Sequence, residues 1–383
     1  MKILLFSVNT NSTILITEFS LYSWMGIEEQ IRALEEEIKR TPYNKATEHH
    51  IGKLKAKLAK LREEAEKRQK KGKGVQFAIK KEGDATAVLV GYPSVGKSTL
   101  LNVLTGAKSD VADYSFTTLK PIPGMLNYKG ARIQIVDVPG IIEGASKGRG
   151  RGREIISAIR SADLILIISD VFNIHQIDIL EKELYDGGIR LNQQPPNIII
   201  KKKARGGINI TTTTPLAIDE KTIVEILREY KIHNADILVR EDITIDRLID
   251  AIQGNRVYIP AIKVVNKIDL VDENYLENLR KKYPDSVFIS AEKGYGIEEL
   301  KEKIYQKLEF IRVFLKPPGK KPEKEPMILR KGSTIKDICE RLHRDMIKRF
   351  RYAKVWGKSV RFPGQRVGID HVVEDEDIVT IYA

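Results

Sequence analysis

Eight consecutive residues, Gly91, Tyr92, Pro93, Ser94, Val95, Gly96, Lys97 and Ser98, have the types and spacing needed to hold a chain of phosphates. Gly91 and Gly96 let backbone N–H groups curl around phosphate oxygens, and a helix opening at this point aims its positive end at the same anion. Lys97 is placed to reach the β- and γ-phosphates as a point charge, with the Ser98 hydroxyl available to magnesium. Three more clusters follow in order. In Asp137-Val138-Pro139-Gly140 the carboxylate can hold magnesium through water and the Gly140 N–H can meet the γ-phosphate. In Asn266-Lys267-Ile268-Asp269 the last carboxylate can accept two hydrogen bonds from the N1 and N2 edge of guanine. Adenine lacks both donors, so Asp269 can select GTP over ATP. Lys267 can lay its stem over the purine while Asn266 braces the loops. Ser290 and Ala291 then offer backbone to guanine O6.

Between the first two clusters lie Phe116, Thr117 and Thr118. A threonine here can close over magnesium and the γ-phosphate and let go after hydrolysis, an order–disorder switch. Many GTPases carry a water-positioning glutamine directly after the glycine of the second cluster. This chain has Ile141 followed by Ile142 there, which cannot orient water, so slow intrinsic hydrolysis is expected.

These clusters need a scaffold that delivers loops to one rim. Short apolar runs at Ala87–Val90, Ile133–Val138, Leu164–Ile168, Ile262–Val265 and Val287–Ile289 alternate with helical stretches such as Arg153–Ile159 and Ile297–Leu308. Continuous apolar strands separated by helices predict an α/β fold with a mostly parallel sheet covered on both faces. In such sheets ligands sit at the carboxyl ends of strands, where Gly91, Asp137 and Asn266 fall.

The chain as a whole is basic. With 65 Lys and Arg against 52 Asp and Glu, the net charge is +13, which favours a polyanionic partner such as RNA. Cys339 is the only cysteine, so no intramolecular disulfide forms and a cytoplasmic setting is expected. Residues 1–24 are too polar to span a membrane and lack a small-residue cleavage site. They are expected to be disordered or an upstream mis-start. Residues 25–82 read as a helical hairpin: Ile27, Ile31, Leu34 and Ile38 recur at helical spacing, as do Leu54, Leu58 and Leu61, with a break at Thr41-Pro42-Tyr43. From Lys39 to Lys81 there are 15 Lys or Arg against 4 Glu, which fits either a solvated helix surface or an RNA-facing arm. Lys70 to Gly74 reads as the linker into the nucleotide domain, 83–308.

About 171–259 forms an insertion too long for a simple crossover. Within it, Asn197–Lys203 and Ile208–Thr213 flank Ala204-Arg205-Gly206-Gly207 and read as a hairpin with a basic tip, either solvated or touching RNA. Residues 309–383 read as a small sheet with one helix starting near Ser333. There, Arg341 to Arg366 carries nine Lys or Arg against the single acid Asp345, interleaved with Phe350, Tyr352, Trp356 and Phe362. That mixture suits base stacking and backbone contact, or else core aromatics under a basic surface.

Several stretches resemble the developmentally regulated GTP-binding proteins among the Obg-like GTPases: GYPSVGKSTLLNVLTG from Gly91, DYSFTTLKPIPG from Asp113, DVPGIIEGASKGRGRGREII from Asp137, LYDGGIRLN from Leu184 and VVNKIDL from Val264. The resemblance covers about Met25 to Ala383. It implies GTP hydrolysis with Mg2+, a hydrophobic residue in place of the catalytic glutamine, and association with ribosomes or RNA. It implies GTP contacts at Gly91 to Ser98, at Phe116, Thr117, Thr118, Leu119 and Lys120, and at the three later clusters. Ser98 and Thr118 become the direct magnesium ligands, with Lys97, Thr118 and Gly140 serving the reaction. The insertion is similar to a fold shared with a small-subunit ribosomal protein domain. The 309–383 sheet resembles a TGS domain, a ubiquitin-like β-grasp. Ser94 stands where some related enzymes place an Asn that helps bind potassium, which keeps K+ as a candidate activator beside a regulatory partner protein.

The expected protein is thus a monomeric, cytoplasmic GTP-hydrolysing switch whose basic appendages engage the ribosome or RNA. Two alternatives remain at this level: a non-catalytic RNA-binding adaptor that senses GTP, which Ile141 allows, and a metabolic P-loop kinase, which leaves the 266–269 cluster unexplained.

Overall fold

A computed structural model describes residues 26–69, 81–106, 122–138, 152–343 and 345–383. The expectations for residues 1–24, for the 70–74 linker, for Phe116 to Lys120 and for Pro139 to Ile142 lie outside them. The described chain forms two compact units, one of 81–194 with 256–383, the other of 26–69 with 195–255.

The first unit is built on a six-stranded sheet in the order Ser286–Phe288, Ala261–Asn266, Leu164–Asp170, Ala85–Gly91, Ala131–Asp137, Ile122–Tyr128. The pairings from 286–288 through to 131–137 are parallel, and only the edge strand 122–128 is antiparallel. Every residue of Ala85–Gly91 and of Leu164–Asp170 is buried. Alternation along them feeds two cores: Val88, Val90, Ile165 and Ile167 point to one face, Ala87, Leu89, Leu164 and Leu166 to the other. This two-sided burial is why the strands read as unbroken apolar runs. Of the span set apart as an insertion, helix Gln176–Asp186 packs Ile177, Leu180 and Leu184 into the first of these cores. Strand Ile189–Leu191 then pairs in parallel with Val257–Ile259.

At the start of the same strands sits a second sheet, ordered Met327–Arg330, Phe310–Leu315, Ile378–Tyr382, Tyr352–Trp356, Gln365–Val367. Its helix, Ile335–Leu342, is capped by Thr334, whose N–H and hydroxyl both reach the Asp337 carboxylate, one residue after the expected Ser333. The two sheets are joined by charge and by aromatic packing. Arg341 bonds Asp84 and the Ile328 carbonyl, and Arg330 meets Asp163 at 2.6 Å. Asp163 also accepts from the Thr86 N–H at 2.9 Å, so this arginine grips a residue already fixed to the P-loop strand. Tyr305 bridges Tyr128 and Phe310 edge-on, with centroids 6.1 and 5.6 Å away.

In the second unit, helices Ile27–Arg40 and Glu48–Gln69 form the expected hairpin, with Leu34, Ile51 and Leu54 buried. The longer helix also packs on helix Glu220–Glu229 through small residues: a Cβ on Gly52 would lie 2.9 Å from Thr222, and Ala56 joins the apolar cluster of Ile223, Ile226 and Leu248. Part of the arm's basic charge is engaged inside this unit. Lys55 pairs with Asp246 at 2.7 Å, Arg62 with Glu35 at 2.8 Å, and Lys60 donates to the Glu229 carbonyl.

One local expectation fails. Strands Ile198–Lys202 and Ile208–Thr212 do not pair as a hairpin, because strand Ala235–Val239 lies between them, antiparallel to the first and parallel to the second. Its alternating burial, with Ala235, Ile237 and Val239 inward, makes it the apolar centre of the sheet. The edge strands are more polar and half-exposed, and helix 220–229 makes the crossover that parallel pairing requires.

Candidate functional site

The P-loop strand ends at Gly91, where a Cβ would lie 2.6 Å from the Ile168 carbonyl oxygen, so only glycine lets the chain turn against its neighbour. Ser94 (φ 63°) and Gly96 (φ 92°) adopt left-handed conformations that curl the backbone before helix Lys97–Thr105 begins. Tyr92 and Pro93 carry that turn, and Val95 is buried against the core. At the helix start Lys97 is buried, and its ammonium donates to the carbonyls of Gly91 at 3.0 Å and Tyr92 at 2.7 Å. Burial lowers its pKa, opposed by the nearby Asp137 charge.

Asp137 ends strand Ala131–Asp137 and accepts the Ser98 hydroxyl on Oδ2 at 3.0 Å. Burial pushes its carboxyl above the usual range, while Lys97 and Ser98 pull the other way. Its Oδ1 is buried with no hydrogen-bond partner among the described residues. A hydroxyl and a carboxylate with an unpartnered oxygen, beside a phosphate loop, are the hard oxygen donors magnesium takes.

On the other side, Asn266 ties the site together. Buried at the end of strand Ala261–Asn266, it donates Nδ2 to the Val95 carbonyl at 2.9 Å and accepts the Ala291 N–H on Oδ1 at 3.0 Å. One side chain thereby fixes the phosphate loop and the Ser290–Ala291 loop to each other. Lys267 (φ 66°) reaches across to the Ser94 carbonyl at 2.7 Å. Ile268 and Asp269 form a single tight turn, and the half-buried Asp269 carboxylate accepts no hydrogen bond from a described residue. Ser290 is fully buried, its hydroxyl accepting from the Lys293 N–H, and Gly296 (φ 71°) closes the loop where a Cβ would strike the Phe288 carbonyl.

Described residues from all four sequence clusters therefore meet at the carboxyl ends of adjacent strands; Phe116, Thr117, Thr118, Leu119, Lys120, Pro139 and Gly140 lie outside the described residues. One participant escaped the sequence reading. Asp170 ends strand Leu164–Asp170 beside Asn266, caps the turn at Phe172 and Asn173, and stands 3.6 Å from the Lys267 ammonium, steadying that lysine. An acidic residue closing a wholly buried strand was the available signal.

Residues 86–202 match the family described as 50S ribosome-binding GTPase, 205–310 the C-terminal region of that domain, and 311–383 the TGS domain. The chain is 49% identical over 363 residues to Developmentally-regulated GTP-binding protein 1 of Xenopus laevis, spanning 93% of this chain and 99% of that one. The chain belongs to the developmentally regulated GTP-binding protein family. An uncharacterized GTP-binding protein of Methanocaldococcus jannaschii is 60% identical over 363 residues, covering 93% of each chain. Among solved structures, a GTP binding protein from Pyrococcus horikoshii aligns with 78% of this chain and 99% of its own at 17% identity and a TM-score of 0.40. Family membership makes this a GTP-binding protein of a GTPase family, as its motifs led one to expect. Among the described residues, no helix is long and apolar enough to cross a membrane.

Proposed function

We propose that this family member is a slow, magnesium-dependent GTP hydrolase that works as a switch on ribosomes or RNA in the cytoplasm. The observation that carries the reading is the pair of hydrogen bonds by which Asn266 holds Val95 and Ala291, because it joins the loop assigned to the phosphates to the loop assigned to the base. Lys97 serves the outer phosphates, Asp269 the guanine edge, and Ser98 with Asp137 the metal, in a direct and a water-bridged role. The unpartnered Asp137 Oδ1 supports the metal assignment. Magnesium contributes charge neutralisation on the β- and γ-phosphates. Thr118 completes that ligand set and Gly140 donates to the γ-phosphate. Ile141 leaves water without a side chain to orient it, so a partner protein or K+ raises the rate. The family description as a 50S ribosome-binding GTPase supports the ribosomal part of the reading.

Calorimetry with GTP, GDP and ATP tests the base assignment: GTP and GDP bind, ATP does not, and Asp269→Asn moves preference to xanthosine triphosphate. Phosphate release in NaCl, in KCl and with ribosomes tests the switch. No release under any of these conditions would leave the GTP-sensing adaptor as the better account.

A further inference from the structure

Two residues of the candidate site that are not glycine hold backbone in the left-handed region, Ser94 at φ 63° and Lys267 at φ 66°. Such conformations persist only where surrounding contacts fix them. Here each helps to fix the other, because the Lys267 ammonium donates to the Ser94 carbonyl at 2.7 Å. The same ammonium stands 3.6 Å from Asp170 Oδ2. Asp170, Lys267 and Ser94 therefore form a chain from the end of strand Leu164–Asp170 to the phosphate loop.

The carboxylate at the head of that chain divides its two oxygens. Oδ1 accepts from the Phe172 N–H at 3.1 Å, the Asn173 N–H at 2.9 Å and the Asn173 side-chain amide at 3.0 Å, while Oδ2 faces the lysine. Three donors on one oxygen fix its direction, so the carboxylate cannot swing after the lysine and the lysine must come to it. Register sets Asp170 opposite Asn266, and the Val171 N–H bonds the Asn266 carbonyl at 3.1 Å, which holds the two strand ends together just before Lys267. The Asp170 side chain is 11% exposed and that of Lys267 32%. A carboxylate so shielded from water is stabilised by a cation beside it. The ammonium is less shielded. With no charge at Oδ2, its remaining partner among the described residues is the neutral Ser94 carbonyl, and water competes for it.

We infer that Asp170 is a positioning residue that sets how long a guanine nucleotide stays bound. It makes no contact with the nucleotide and acts through Lys267: its charge holds the ammonium against Ser94, so the lysine stem is in place as a wall for the purine and does not have to be ordered by it. Loss of such a preformed contact appears in release far more than in capture. The inference rests on the guanine site proposed above and adds the residue that governs its lifetime.

The test follows release of a fluorescent GDP analogue from the full chain, chased with excess GDP in the presence of magnesium. Asp170→Asn keeps an oxygen for the Phe172 and Asn173 donors and removes the charge. It should release the analogue more than twofold faster than wild type, roughly fivefold by the worth of a half-shielded ion pair, with association changed by less than about twofold. Lys267→Met keeps an apolar stem and breaks the same pair from its other end. It should release the analogue at least as fast as Asp170→Asn, and adding Asp170→Asn to it should change release by less than about twofold, because the two residues act as one unit. Asp170→Ser, which can also cap the turn and carries no charge, is held to the same outcomes if Asp170→Asn does not fold. Release within about twofold of wild type from a folded, uncharged variant overturns the assignment and leaves the guanine site standing. A larger acceleration on the Lys267→Met background also overturns it, since Asp170 would then act through the 172–173 turn and not through the lysine. A wild-type protein that binds no GDP overturns the guanine site and this inference together.

Discussion

Replacing Asn266 by alanine cuts the tie between the Gly91–Ser98 loop and the Ser290–Ala291 loop. Two hydrogen bonds disappear, to Val95 at 2.9 Å and from Ala291 at 3.0 Å. Each is worth about 1 kcal/mol net. The larger effect comes from what stays behind: Val95 and Ala291 are each 2% exposed, so the orphaned carbonyl and N–H are screened from water. Leaving such groups unmade costs about 1–3 kcal/mol apiece, and partial relaxation brings the total to about 2–5 kcal/mol. For a unit of this size that is a melting shift on the order of 10 °C. GDP affinity should fall by about 30-fold or more, at 1.4 kcal/mol per factor of ten, because ligand binding must then order loops that Asn266 now holds.

Asn266→Asp separates the two bonds. The carboxylate still accepts from Ala291 but sets an acceptor against the Val95 carbonyl, so it should be no better than alanine despite keeping the shape. Gly96→Ala approaches the same contact from the other side, since its Cβ would lie 2.4 Å from the Asn266 amide nitrogen at φ 92°. Thermal melts without nucleotide, plus stopped-flow with a fluorescent GDP analogue, give both quantities. An Asn266→Ala protein that melts within about 2 °C of wild type and binds GDP within threefold of it would refute the reasoning.

Three further outcomes are expected. Asp137→Asn should raise or preserve the melting temperature in EDTA while abolishing the magnesium-dependent gain in nucleotide affinity. The reason is a matter of sign: burial holds the folded pKa above the ordinary 3.8, so this group stabilises the fold only in its protonated form and works against it once pH passes the raised value. Asp375, by contrast, is held below 3.8 by Arg312, which bonds it through Nε at 3.1 Å and Nη2 at 2.8 Å. Its contribution is present in full above the ordinary value and fades as pH falls through the lower one. Since its side chain is 38% exposed, Asp375→Asn should cost at most about 1 kcal/mol, a difference read by melts that stays flat above about pH 4 and closes below it. In the second unit, Gly52→Leu should overpack the contact with Thr222 and Ile226 at a cost of about 1–3 kcal/mol. Hydrogen exchange should then rise in helix 220–229, and unchanged protection there would count against the packing described.

How much of this was readable from the chain follows from where the information is written. Within strands 85–91 and 164–170, the runs 87–90 and 164–168 were plain because burial on both faces leaves no polar residue to interrupt them. The site clusters were plain because phosphate and guanine each demand particular atoms at fixed offsets. Pairing partners had no such local mark. Strands 198–202 and 208–212, joined by a glycine-bearing loop, look like any hairpin, and nothing between them announces that 235–239 will insert. What decides it is burial: a three-stranded sheet on two helices needs its most apolar strand in the middle, and Ala235, Ile237 and Val239 meet that need better than either neighbour.

The same logic explains why the helical arm was legible as a hairpin but not as part of a larger unit. Periodicity reports large apolar residues, and Leu34, Ile51 and Leu54 are the arm's buried ones. Its contact with helix 220–229 is written instead in residues that lack bulk, Gly52 and Ala56, which let the two helices approach closely. Small residues carry no periodic signal, so a surface that looks polar and basic on a helical projection conceals an interface. Charge misleads in the same direction: Lys55, Lys60 and Arg62 read as free cations available to RNA, yet each has a partner within its own unit. The TGS sheet shows the opposite case. Arg366, Lys354 and Lys316 also have partners, but those partners are aromatic rings, which hold a cation without neutralising it. Net charge therefore cannot rank the basic stretches of this chain as polyanion sites. What separates them is whether each cation already faces a carboxylate or a carbonyl among the described residues, as Lys55, Lys60 and Arg62 do and Arg366 and Lys354 do not.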